Sequence, residues 1–68
     1  MFSYVVKAIK TQSPIVLLLQ GEEGQIVTQK VRPSHIEGTC LIGYSISEGK
    51  DREFNLNKLL GLHHWFQD

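Results

Sequence analysis

The sequence predicts a mainly β domain of the α+β class, with a short N-terminal helix followed by four or five antiparallel strands curled into a small barrel. Three observations predict it. Helical spacing of apolar residues is confined to the first stretch, where Val5, Val6 and Ile9 recur with Ala8 beside them. Beyond Pro14 the apolar residues form short runs or alternate with polar ones, separated by turns rich in glycine and proline. Finally, 68 residues allow one domain over residues 1–68 and no second core. A chain so short buries only about 60% of its unfolded surface, and curling the sheet protects edges that would otherwise stay unpaired.

The helix is expected from Ser3 to Thr11 with Ser3 as its N-cap, and Thr11-Gln12-Ser13-Pro14 ends it, because the residue before a proline is driven away from helical angles. Ile15 to Leu19 is an unbroken apolar run, which reads as a strand buried on both faces. The turn Gly21-Glu22-Glu23-Gly24 joins it to a partner, Gln25 to Val31, whose residues alternate, and Pro33 ends or kinks that partner. From Thr39 to Ser47, Cys40, Ile42, Tyr44 and Ile46 fall on one face and Leu41, Gly43 and Ser45 on the other. After the polar turn Ser47 to Asp51, the stretch Arg52 to Leu56 points Phe54 and Leu56 inward. The end of the chain, with Leu59, Leu60, Leu62, Trp65 and Phe66, reads as a fifth strand or a short closing helix.

Charge and cysteine usage narrow the function. The formal net charge is zero, with basic groups Lys7 and Lys10 ahead of a middle segment in which four glutamates outweigh Lys30 and Arg32. No general field draws the chain to nucleic acid or an anionic membrane. The longest apolar run is far below the roughly 20 residues that span a bilayer, so no membrane partner is expected. Met1-Phe2-Ser3-Tyr4 lacks the basic start and long apolar region of a secretory signal, and one thiol, Cys40, makes no intramolecular disulfide, so a cytoplasmic location is expected.

The strand order and its residues resemble the WYL domain family. Val31-Arg32-Pro33 with Ile36 after it, Leu41-Ile42-Gly43-Tyr44, and Arg52-Glu53-Phe54-Asn55-Leu56-Asn57-Lys58-Leu59 are similar to the family's proline-ended strand, its naming strand and its Arg-x-Phe-x-Leu-x-Arg-Ile strand. The likeness covers about Tyr4 to Leu62. It implies an SH3-like or Sm-like barrel of the kind attached behind winged-helix domains in bacterial regulators, with a role in sensing a nucleic-acid or nucleotide-like ligand. The chain departs from the pattern at two places: Thr39-Cys40-Leu41 stands where the family has Trp-Tyr-Leu, and Lys58-Leu59 replaces Arg-Ile. A DNA-binding domain has no place in these 68 residues, so a stand-alone, divergent barrel is expected.

Two functional readings follow, from different classes. The first is a non-catalytic regulatory or ligand-binding module. Arg52 is its anion anchor, by carry-over from the resemblance and because a guanidinium grips phosphate or carboxylate bidentately. Lys58, Arg32 and Lys30 add charge, and Tyr44 offers a stacking surface. Arg52 and Lys58 are six apart, so a regular strand points both to the face of Phe54 and Leu56. The bland alternative has these stems lying along the barrel rim with their charges in water, partly paired with Glu53 or Glu37. The second reading is a protein-interaction or homo-oligomerising barrel whose interface is the apolar tail, Leu60, Leu62, Trp65 and Phe66.

An enzyme is not expected. No serine lies in a nucleophile motif, and Gly21 to Gly24 lacks the lysine and hydroxyl of a phosphate loop. Cys40 sits in an apolar strand as a small hydrophobe. His63 and His64 are adjacent, so on a strand they face opposite sides and share no metal, and His35 is remote. No metal or cofactor is expected.

Overall fold

The computed structural model describes residues 2–64 of the chain. Helix α1 (Phe2–Thr11) leads into five strands, β1 (Ile15–Gln20), β2 (Ile26–Glu37), β3 (Cys40–Ser45), β4 (Lys50–Asn55) and β5 (Leu59–His64), with a single 3-10 turn, Leu56–Lys58, between the last two. This is the mainly β architecture expected, and of the two readings of the chain's end, Leu59–His64 takes the fifth strand.

The helix begins at Phe2, one residue ahead of the expected start, so Ser3 lies in the first turn and is not the N-cap. Val5 and Ala8 are buried while Lys7 and Lys10 face solvent, which is the amphipathic stripe that spacing predicts. Its C-terminus is a Schellman cap. Gln12 takes the left-handed conformation (φ 55), the Ser13 amide donates to the Ala8 carbonyl (2.9 Å), and the Gln12 amide donates to that of Ile9 (3.2 Å). Pro14 then prevents the helix from continuing.

The sheet order is β4-β3-β2-β1-β5, antiparallel throughout. Strands β4 and β5 are its two edges, and the 3-10 turn bridges them. The inward faces of all five strands meet in one core, so the sheet is curled into a half-open barrel. Ile15, Leu17, Val31, Leu41 and Phe54 join Val5 and Ala8 there, with Leu59 and Leu62 packed against them. The β1–β2 hairpin has the expected turn, closed by the Gly24 amide on the Gly21 carbonyl (3.0 Å) with Gly24 at φ 83.

Several expectations need correction. Strand β1 is fully buried on one face only: Ile15 and Leu17 are inaccessible, whereas Val16 and Leu18 are half-buried. Of the two outcomes expected at Pro33, it kinks β2 and does not end it. It precedes a bulge, where Pro33 pairs with Gly43 and His35 with Ile42, leaving Ser34 as the extra residue. A proline has no amide to donate, so a bulge accommodates it, and the bend lets one strand of 12 residues serve both halves of the barrel. Strand β3 stops at Ser45, and the next turn begins at Ile46. Phe54 points inward as expected, but Leu56 does so from the 3-10 turn rather than from a strand.

Candidate ligand-binding groove

Alternation along β2 alone would put Lys30 and Arg32 on its outer face, since Val31 between them is buried. Pairing then decides what stands beside them. Arg32 lies opposite Tyr44 of β3, and Tyr44 opposite Asp51 of β4, so the three form one row across the sheet. The row borders a groove of about 510 Å³, whose polar lining also includes Gln12, Ser34 and His35. Ile9 and Ile42 supply apolar floor. The C-terminal turn of α1 and the bulge after Pro33 thus shape the groove, and the β2–β3–β4 register furnishes its charges.

The Arg32 guanidinium and the Asp51 carboxylate have no hydrogen-bond or ion-pair partner among the described residues. Tyr44 is 45% exposed, an aromatic face available for stacking. The concavity therefore holds a cation, a ring and an anion in sequence. A bare polyanion meets repulsion at Asp51, while a ligand with an acidic end and a hydrogen-bond-donating end meets complementary groups at both.

The remaining predicted cations are elsewhere. Arg52 is half-buried, shares the inward face with Phe54 and lies with its guanidinium carbon 6.0 Å from that ring's centroid. It donates to Glu48, neither to Glu53 nor to Glu37. Glu48 is the hub of a polar cluster at the β3–β4 turn: Gln29 Nε2 donates to it (2.9 Å), Lys50 lies 4.0 Å away, and Ser45 Oγ accepts the Glu48 amide (3.0 Å) while donating to Gln29 (2.8 Å). With Ser45 fully buried, these bonds give Arg52 a structural setting. Lys58 is exposed on the 3-10 turn, which breaks the alternation assumed between residues 52 and 58. Lys30 shares the outer face of β2 with Arg32 but does not line the groove. The four cations do not share a face.

Sequence reasoning placed Tyr44 and Arg32 among the candidates and missed Asp51, Ser34 and His35. Asp51 sits in a polar stretch that reads as turn, and only the register of two strand pairs sets it beside Tyr44. On β2, His35 Nδ1 is 3.2 Å from Ser34 Oγ and Nε2 is 3.8 Å from Glu37. Cys40 is half-buried at the start of β3. Tyr4 packs against the core, and desolvation there raises its phenol above the ordinary pKa.

Of the predicted interface, Leu60 is 53% exposed at the bulge where β5 pairs with β1, whereas Leu62 packs inward on the core. Trp65 and Phe66 lie outside the described residues. Among the described residues, no group of three or more His, Cys, Asp or Glu side chains is placed to hold a metal ion, and no helix is long and apolar enough to cross a membrane.

A curled five-stranded antiparallel sheet with a short N-terminal helix and a 3-10 turn before its last strand defines a small half-open barrel domain. Proteasome accessory factor B/C (PafBC) of Arthrobacter aurescens contains this fold: the two superpose with a TM-score of 0.84 at 18% sequence identity, over 93% of this chain. The match spans 11% of the length of PafBC. No family model and no curated protein sequence matches the chain, and at this identity the likeness is one of fold.

Proposed function

We propose that the chain is a divergent WYL domain acting as a non-catalytic regulatory module, which binds a nucleic-acid or nucleotide-like anion in the groove beside Arg32. The observation that carries this reading is the row Arg32–Tyr44–Asp51 along a concave surface, with the guanidinium unpaired among the described residues and the ring exposed. The WYL-like fold fits a sensing role. Arg32, rather than Arg52, is the anion anchor, because the charge of Arg52 is already met by Glu48.

With a formal net charge of zero, binding is weak and depends on salt. Titration of a labelled single-stranded oligonucleotide at low salt is expected to show saturable binding. Arg32→Ala should weaken it roughly tenfold, the scale of one charge-assisted hydrogen-bonding group, and Arg52→Ala should change it less than twofold. Failure of the wild type to bind, or equal losses in the two variants, rejects the groove as the site.

A second reading, a self-associating barrel, draws on Leu60 and on Ile26, which is 63% exposed on the outer side of the same sheet. Light scattering across a concentration series tests it. A dimer that Leu60→Asp converts to monomer supports this interface; a monomer at every concentration removes it.

A further inference from the structure

The groove contains an acid that a simple phosphate-binding site would not have. Asp51 lies two strands away from Arg32, with Tyr44 between them. Neighbouring strands are about 4.8 Å apart, which puts the two charges roughly 10 Å from each other at the backbone. This is comparable to the reach of a nucleoside monophosphate from its phosphate to the far edge of its base. A ligand with its phosphate at Arg32 and its base on the Tyr44 ring presents that edge to Asp51.

An ionised carboxylate only accepts hydrogen bonds, and it accepts two in parallel from adjacent donors. Among the common bases, guanine alone supplies that pair, its ring N1–H and its exocyclic amine. Adenine and cytosine each set one amine beside an acceptor nitrogen, which the carboxylate repels. Uracil and thymine flank their single N–H with two carbonyls.

We propose that the groove selects guanine, with Asp51 as the residue that reads the base and Arg32 as the one that holds the phosphate. The inference rests on the anion-binding reading above and adds to it the identity of the base. It also accounts for the acid in the groove, which lowers the affinity for inorganic phosphate while favouring a guanine nucleotide.

The test is calorimetric titration of the full chain with GMP, AMP, CMP and UMP at low salt. GMP is expected to bind roughly tenfold more tightly than the other three, the low end of the discrimination given by a bidentate base contact. Asp51→Asn keeps the side-chain shape but replaces one acceptor oxygen with a donor. It is expected to weaken GMP and to strengthen AMP, because the amide drops the repulsion and offers adenine one donor and one acceptor, so that the guanine preference disappears, with a thermal melt verifying that the variant is folded. Equal binding of all four nucleotides, or a guanine preference that persists in Asp51→Asn, overturns the inference while leaving the anion site intact. No binding of any nucleotide or oligonucleotide overturns both. Competition between GMP and single-stranded oligonucleotides of one length, either all thymine or with one guanine, identifies the source of the base. Displacement of GMP by the guanine-containing strand at lower concentration than GMP itself assigns the site to nucleic acid, and equivalence assigns it to the free nucleotide.

Discussion

Gly43→Ala is expected to destabilise the domain by about 2–3 kcal/mol, the scale of forced overpacking, and to abolish ligand binding at the groove. A Cβ at this position would stand 2.6 Å from the Arg32 carbonyl oxygen and 2.9 Å from the Pro33 Cα. Both are backbone atoms in the paired strand, just before the bulge, so no side chain can swing aside to make room. The sheet must open between β2 and β3, which separates Arg32 from Tyr44. Gly38→Ala is the control: its left-handed backbone (φ 60) brings conformational strain of about 1 kcal/mol, but nothing lies within 4 Å of the added methyl group. Urea unfolding of both variants measures the difference. The close approach is disproved as the reason for glycine if the two substitutions cost the same.

Leu17→Ala is expected to remove about 3 kcal/mol, since it deletes buried methyl groups and leaves a cavity that rigid neighbours do not fill. Leu17 is inaccessible at the centre of β1, flanked by Gln29 of β2 and Leu62 of β5. A domain of this size holds roughly 3–10 kcal/mol in all, so a melting temperature lower by some 12–20 °C is the expected reading. Leu18→Ala, one residue on and half-buried on the outer face, should cost no more than about 1 kcal/mol. Calorimetric melts of the pair distinguish a strand with one core face from one buried on both sides. Equal costs would vindicate the reading that the unbroken apolar run Ile15 to Leu19 invites.

That run illustrates how far the sequence is legible. Its composition identifies a strand, but half-burial of an aliphatic face looks the same in sequence as full burial, and the distinction comes from what packs on it. The ends of elements are clearer. Pro14 stops α1, and Gly21 to Gly24 turns β1 into β2, because each acts through backbone geometry within a few residues. Phe54 pointed inward on alternation alone. The same alternation failed across residues 52 to 58, where Leu56–Lys58 winds into a 3-10 turn, and with it failed the shared face of Arg52 and Lys58.

The candidate site was half legible for a related reason. Arg32 and Tyr44 are types that bind, and both were among the candidates. Asp51, which shapes what the groove accepts, stood in an ordinary polar turn. Arg52 drew the eye through its likeness to a motif, yet Glu48 four residues earlier already holds it.

Local chemistry in the chain sufficed for one amphipathic helix, the turn positions, the strand periods and the mainly β class, since each depends on residues within a turn or two of one another. Which cations share a surface, where an acid joins them and which leucines remain exposed depended on cross-strand register and on the bend after Pro33. Those are set by the pairing of residues distant in sequence, and a shift of one position reverses the face of every side chain in a strand.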